Sequence, residues 1–139
     1  MNLFGVLDIS GSALEAQRQR AEVTASNLAN AETTDTPEGG PYRREHVVFK
    51  AEPISFAETL DQHARGVRVA QVVQDQTPPD RRYDPGNPHA DADGYVSYPN
   101  INPIEEMVNL MGAARSYDLN ASVVQATKSM ITESLEILR

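Results

Sequence analysis

The stretch "NPIEEMVNLMGAARSYDLNASVVQATKSMITESLEIL", Asn102 to Leu138, decides the fold. Asn102 offers a side-chain acceptor to an amide of the first helical turn, Pro103 has no amide to leave unsatisfied there, and Glu105 completes the helix-start signal. From that point apolar residues return every three or four positions, at Met107, Leu110, Ala114, Tyr117, Ala121, Val124, Ile131, Leu135 and Leu138. This is the period of one helical face. Only Lys128 interrupts the stripe, and its methylene stem covers apolar surface while the amine reaches water. A helix from Pro103 to Leu138 would span about 54 Å. A compact chain of 139 residues has a radius of gyration of roughly 14 Å and a diameter of about 37 Å. The helix therefore protrudes, and a protruding apolar stripe on a polar chain marks an interaction surface.

The start of the chain repeats the pattern. Leu7, Leu14, Ala21 and Leu28 fall seven apart, with Ala25 and Ala31 thickening the stripe near its end, as in a helix that packs along another helix. Ser12 and Glu15 have capping-box spacing, so the regular helix starts there or several residues earlier. It ends near Asn30. Alanines at 21, 25, 114 and 121 suit close backbone approach, and the reading is that helices from several copies or several proteins pack around a common axis. Two antiparallel helices forming a monomeric hairpin or a dimer stay open as the simpler arrangement.

Between the helices, residues 31–101 hold eight of the nine prolines. Alternation predicts strands over Arg43 to Ala51 and Gly66 to Asp75 and a shorter one over Gly94 to Tyr98, separated by the turn-rich "TPEGGP", "TPPD" and "YDPGNP". The expected fold is mainly α with a small β insertion: long N- and C-terminal helices packing as a coiled coil, and an irregular, β-hairpin middle. The expected units are residues 1–30, an N-terminal axial helix; 31–101, the insertion; and 102–139, a C-terminal axial helix. Hydrophobic content of 40%, aromatic content of 6% and no Trp leave little bulk for a core, so stability has to come partly from outside the chain.

Composition also excludes. A net charge of -8 without any basic stripe argues against a nucleic-acid partner, since polyanion binding draws on clustered Lys and Arg. No run approaches the ~20 residues that span a bilayer, and the N-terminus lacks the positive start and cleavage site of a secretory signal. Without Cys there is no disulfide and no thiolate metal site. "HADADGYVSYPN" places His89, Asp91, Asp93 and Gly94 at positions 1, 3, 5 and 6 of a calcium loop. It fails at both ends, with His89 for Asp and Asn100 for the bidentate Glu, and reads better as an Asp/Gly turn. His46, His63 and His89 are scattered, no G-x-S-x-G elbow or phosphate-cradling glycine pattern occurs, and Glu105 and Glu106 read as carboxylates favoured by the helix dipole. No catalytic, cofactor or metal site is expected, and the chain reads as a non-enzyme.

"SALEAQRQRAEVTASNLANAETT", "GGPYRREHVVF", "YDPGNPHADADGYVSYPNINPIEEMVNLM" and "ARSYDLNASVVQATKSM", in this order and over nearly the whole chain, resemble the FlgC family of bacterial flagellar basal-body rod proteins. "SNLAN" alone is common to several flagellar axial proteins; the four linked blocks are more specific. The resemblance implies a structural subunit of the proximal rod, exported by the flagellar type III apparatus without a cleaved signal. It would assemble helically, terminal helices inward, into the drive shaft that crosses the periplasm and carries torque. It implies self-association and contact with other rod proteins, the MS-ring/export-gate junction protein and the distal rod. The departures from the family pattern fall in "AQVVQDQTPPDRRYDPGNPH" and the "HARG" approach to it.

The expected interface is Leu7, Leu14, Ala21, Asn27, Leu28 and Asn30 on the first helix, and Met107, Leu110, Ala114, Tyr117, Ala121, Val124, Ile131, Leu135 and Leu138 on the second. Asn27 and Asn30 are poor interior helix formers whose amides both donate and accept. Asn30 is expected to close the last turn, and Asn27 to bond a neighbouring subunit. Two other readings remain: a coiled-coil adaptor or chaperone-like dimer, and a calcium-regulated binding module.

Overall fold

The computed structural model describes residues 3–53 and 65–137. Leu138 and His63 lie outside the described residues. Helix α1 runs Leu3–Ala29, and helix α2 runs Pro103–Ile137. Four strands lie between them: β1 at Glu45–Pro53, β2 at Arg65–Gln74, β3 at Asp80–Tyr83 and β4 at Tyr95–Tyr98. The chain is mainly helical with a small β insertion, as the two stripes require.

Asn102 caps α2 as expected: its Oδ1 accepts the Ile104 amide at 3.0 Å, and its carbonyl accepts the Glu106 amide at 3.1 Å. At the other site Ser12 is not a cap. The helix is already regular from Leu3, and Ser12 Oγ donates back to the Ile9 carbonyl at 2.8 Å while accepting the Val67 amide at 3.1 Å. That hydroxyl therefore ties β2 to the side of α1. At the end of α1, both the backbone amide and the side-chain Nδ2 of Asn30 donate to the Ser26 carbonyl, at 3.0 and 2.9 Å, and Asn30 Oδ1 accepts Thr33 Oγ1 at 3.2 Å. The orphan carbonyl of the last turn is thus satisfied by the residue that stops the helix.

Asn27, near the end of α1, bonds Glu106, in the first turns of α2, so the two helices pack antiparallel from that junction. In α1, 24 residues (3 to 26) precede Asn27, whereas 31 (107 to 137) follow Glu106 in α2. The last turns of α2 consequently run past the start of α1.

The helix seam differs in register from the expected stripe. On α2 the buried residues are Glu106, Ala113 and Thr127, with Asn120 half-buried between them, each seven apart. The expected stripe lies one residue further on, where Met107, Ala114 and Lys128 are exposed and Ala121 is half-buried. On α1 the buried residues are Gly5, Ser10, Ala16, Thr24 and Asn27, while Leu7, Leu14, Ala21 and Leu28 are half-buried. The buried alanines are Ala16 and Ala113; of the four expected at the seam, Ala21 and Ala121 are half-buried and Ala25 and Ala114 exposed. The reason is steric: two helix axes approach most closely where side chains are small or can bond their own backbone, as Thr127 Oγ1 does to Val123 O at 2.8 Å. The bulkier apolar side chains are displaced to the flanks.

The β strands form two separate antiparallel ribbons, β1 with β2 and β3 with β4. The first pairs Glu45 with Gln74 and shifts register between Val48 and Phe49, leaving Ala70 as the extra residue of a bulge. It packs along α1 through Ser12. The second corrects the sequence reading. Asp80–Tyr83 joins two stretches read as turns, "TPPD" and "YDPGNP", and no strand is expected there, yet it pairs Asp80 with Tyr98 and Tyr83 with Tyr95. All four of its residues are exposed, so no apolar alternation announces it. Cross-strand contacts hold it instead: Arg81 lies over the Tyr95 ring at 5.1 Å, Arg82 over Tyr98 at 4.9 Å, and Tyr83 meets Tyr95 edge-on at 5.4 Å.

Among the described residues the buried apolar side chains outside glycine are Ala16, Val96, Pro99, Ile101 and Ala113. Two are alanines, so intrachain burial supplies little of the apolar area that ordinarily drives folding.

Candidate assembly surface

Two parts of the molecule bear on assembly: a polar hub that fixes the two helices at their junction, and the apolar flanks that this junction leaves open. In the hub, Asn27 is 1% exposed, and its side-chain hydrogen-bonding capacity is used within the chain. Its Nδ2 donates to the Glu45 carbonyl at 2.9 Å and to Glu106 Oε2 at 3.0 Å. Its Oδ1 accepts the Glu45 amide at 2.9 Å and the Tyr42 hydroxyl at 3.2 Å. Two donors and two acceptor sites are all that a primary amide has. The expected bond from Asn27 to a neighbouring subunit is therefore corrected: the amide is an internal joint, held where β1 begins.

Glu106, 2% exposed, is the other half of the hub. Its Oε1 accepts from the Arg44 guanidinium while Oε2 accepts from Asn27, and its place in the opening turns of α2 adds the favourable end of the helix dipole. A carboxylate removed from water needs such partners. Arg44 in turn offers its carbonyl to the Asp75 amide at 2.7 Å, which carries the linkage to the end of the β1–β2 ribbon. Burial pushes the Tyr42 phenol up, with the Glu45 and Glu106 carboxylates adding to it and the Ser26 hydroxyl opposing. One network thus joins α1, β1, α2 and the exit of β2. Sequence reasoning missed the partnership of Glu106, Arg44 and Tyr42, reading Glu106 only as a helix-start carboxylate favoured by the dipole. The available signal was register, since Glu106 lies seven residues before Ala113 on the seam.

Along the flanks the situation reverses. Ile104, Met107, Val108, Met111, Tyr117, Leu119, Val123, Met130, Leu135 and Ile137 on α2, and Phe4 on α1, are exposed. Leu135 keeps 62% of its surface and Ile137 85%. Of the expected interface residues, Met107, Ala114, Tyr117 and Leu135 are exposed, Leu7, Leu14, Ala21, Leu28, Asn30, Leu110, Ala121, Val124 and Ile131 are half-buried, and Asn27 is buried. The outward face of α1 is polar in its middle, where Arg18 pairs with Glu15 at 2.7 Å and Glu22 at 3.1 Å. Such pairs contribute little to stability.

The calcium-like stretch is occupied by its own turn. Asp91 Oδ1 accepts the Asp93 and Tyr95 amides at 3.0 and 2.8 Å, and Oδ2 pairs with Arg81. The Tyr95 amide leads the contacts that hold this carboxyl below its ordinary range. Gly94 adopts a φ of +79°, and a Cβ there would lie 2.9 Å from the Tyr83 ring. Among the described residues no group of three His, Asp or Glu is arranged to hold a metal ion, and no helix is long and apolar enough to cross a membrane.

Comparison with known proteins bears on both helices. Residues 7–35 match the family described as "Flagella basal body rod protein", and residues 92–137 match "Flagellar basal body rod FlgEFG protein C-terminal". The chain is 47% identical over 137 residues to the flagellar basal-body rod protein FlgC of Escherichia coli O6:H1, covering 99% of this chain and 98% of that one. It is 46% identical to FlgC of Salmonella typhimurium LT2 with the same coverage. With FlgC of Bacillus subtilis 168 the identity is 40% over 148 residues, covering 99% of each chain.

Proposed function

The chain belongs to the FlgC family of flagellar basal-body rod proteins, structural subunits of the basal body, and from that premise we propose that it polymerises helically with homologous rod proteins through the flanks of its terminal helices. The family is structural, not enzymatic, and its members associate with other basal-body components. The finer reading is a proximal-rod subunit that contacts further copies of itself, the MS-ring/export-gate junction protein and the distal rod, lies in the periplasm and is exported without a cleaved signal. Residues 1–30 and 102–139 serve as the axial helices, and 31–101 as the insertion. The interface comprises Leu7, Leu14, Ala21, Leu28, Asn30, Met107, Leu110, Ala114, Tyr117, Ala121, Val124, Ile131, Leu135 and Leu138.

The observation that carries this reading is the inversion of burial. The intrachain seam encloses Ser10, Thr24, Asn27, Glu106 and Thr127, whereas methionines, leucines and valines on the same helices stay in solvent. Contiguous apolar stripes of this kind are interaction surfaces on soluble proteins. Once packed against neighbours, interdigitated side chains resist small displacements, which is what torque transmission needs.

The test is complementation of a strain lacking the gene. Leu28→Asp or Leu135→Asp abolishes motility while the subunit is still made at the normal level. Motility surviving both substitutions contradicts the reading. A discrete dimer in sedimentation of the purified chain, with helical circular dichroism unchanged by other rod proteins, would favour an adaptor instead.

A further inference from the structure

The β1–β2 ribbon is held to α1 at two points, one on each strand. At one end the Asn27 amide bonds both backbone groups of Glu45, the first residue of β1, at 2.9 Å each. At the other, Ser12 Oγ accepts the Val67 amide of β2 at 3.1 Å. Glu45 pairs with Gln74, and Val67 with Ala51. The helix therefore enters beneath the outer edge of β1 and leaves beneath the outer edge of β2. Burial records the same diagonal on the inner side of the ribbon. Glu45 and Val47 near the first point, and Val67 and Val69 near the second, are half-buried. At the two opposite corners, Val72 and Gln74 on β2 and Phe49 and Ala51 on β1 are exposed. Ser12 and Asn27 stand fifteen residues apart, about 22 Å along α1 and about 60° around it. The six steps from Glu45 to Ala51 cover a matching ~20 Å.

The bulge makes the second attachment possible. β2 has ten residues against nine in β1, and Ala70 is the extra one. Were the ladder regular from the Glu45 and Gln74 pair onward, Ala51 would face Arg68, and the guanidinium would be turned onto α1. With Ala70 bulged, Val67 faces the helix, while Arg68 is exposed and pairs with Glu52 at 2.9 Å. The ribbon thus gives up ladder pairing at one residue and sets one amide against one hydroxyl. That hydroxyl is itself aimed, since it donates to the Ile9 carbonyl at 2.8 Å.

We infer that the ribbon is a strap fastened diagonally across α1, and that Ser12 and Asn27 are the positioning residues through which it holds the helix against twist. This deepens the proposed function and rests on it for the torque. Between the two attachments the seam with α2 is lined by small side chains such as Ala16 and Ala113, whose shallow ridges resist rotation little. The strap resists it because its ends meet the helix at different angles. A twist of about 10° carries a side-chain atom ~5 Å from the helix axis by roughly 0.9 Å. Directed along the Ser12 bond, that displacement takes the contact out of hydrogen-bond range. The dependence is mutual, since a lone two-stranded ribbon is marginal in water and gains its order from the helix it crosses.

The test separates the hydroxyl of Ser12 from its bulk. Thr and Val share one branched shape, and only Thr keeps the acceptor. In the purified chain the Val67 amide is expected to exchange about tenfold faster in Ser12→Val, for the loss of one hydrogen bond, and at the parent rate in Ser12→Thr. The Glu45 amide stays unchanged in both. In complemented cells, Ser12→Val is expected to build basal bodies and turn them at the parent speed under low load, then to stall at a lower medium viscosity than the parent. Ser12→Thr keeps the parent limit. Equal exchange at Val67 in the two variants would overturn the attachment by making the contact steric. Faster exchange with an unchanged stall limit would overturn the mechanical role and leave rod assembly intact. Missing basal bodies in Ser12→Val would also overturn it, by making the hydroxyl an assembly contact. Deletion of Ala70 gives a second measure: Val67 is expected to lose protection and the stall limit to fall, and parent-like behaviour in both would overturn the strap. Failure of the proposed function reads differently, as motility surviving Leu135→Asp with the Val67 exchange result untouched.

Discussion

At the junction of the two helices Asn27 and Glu106 are buried and bonded; along the flanks of α2 apolar groups are exposed. Asn27 and Glu106 at the first site are closed to water, while Leu119, Leu135 and Ile137 at the second face it. An isolated globule would be built the other way round. The difference separates two tasks along one pair of helices. The junction sets the angle between helices and the position of the β1–β2 ribbon within a single chain, and in the proposed assembly the flanks make the contacts between subunits. Polar joints suit the first task because hydrogen bonds fix geometry with little apolar area. Apolar ridges suit the second because their burial is non-directional and grows with each added neighbour.

The junction is broken most severely by Glu106→Ala, which leaves Arg44 and the Asn27 amide facing an empty space. The expected loss is about 3–5 kcal/mol of folding stability, read as a lower urea midpoint for the purified chain. Replacing Glu106 by Leu together with Arg44 by Met is expected to recover most of it, because an apolar substitute leaves no buried charge behind.

Next in size is Gly94→Ala in the β3–β4 ribbon. A side chain at φ +79° costs about 1–3 kcal/mol, and the new Cβ would press on the Tyr83 ring. Hydrogen exchange should quicken at the Asp84 and Tyr95 amides, which bond to Gly94 and Asp91, and hardly change at Asn27. Equal loosening at both places would merge the two regions into one cooperative unit and blunt the contrast.

Leu135→Asp sharpens the contrast from the other side. Its side chain is exposed, so the free chain should unfold within about 0.5 kcal/mol of the parent, although motility is lost. A large destabilisation of the free chain would mean that the ridge is already part of an intrachain core.

The smallest effect is local and pH-dependent. Asp75 is held down to about 2, from an ordinary 3.8, first by the Thr77 hydroxyl, then by the Thr77 amide and His46. A carboxyl depressed in the folded state contributes stability above its unfolded pKa, and that contribution disappears as pH falls through the folded value. Between about pH 4 and 2 the turn after β2 should loosen, as followed by the Asp75 side-chain signal in NMR titration. Asp75→Asn should remove this step and leave the helix junction unaltered.

Much of the fold was legible because its signals are periodic or terminal. Asn102 and Pro103 mark the start of α2, the apolar spacing marks both helices, and alternation marks β1 and β2. The β3 strand was hidden because Arg81 and Arg82 pair through ring faces and carry no apolar period. The seam register was hidden for a related reason. A stripe of Met, Leu and Val shows which side of a helix is apolar, but the closest approach of two helices selects small residues, and these sat one position earlier. Asn27 illustrates the limit most clearly. Its oddness inside a helix was visible, but its partners come from residues 15, 18 and 79 positions away, a distance that local pattern does not span.

The central claim is that the apolar flanks of α2 are open in the single chain and covered only by neighbours. It is tested most directly by thiol-labelling rates of single-Cys variants at Val123 and Leu135, compared between the purified chain and intact basal bodies. Fast labelling of the free chain and at least about tenfold slower labelling after assembly are expected at both positions. Equal rates in the two states, or slow labelling of the free chain, would contradict it.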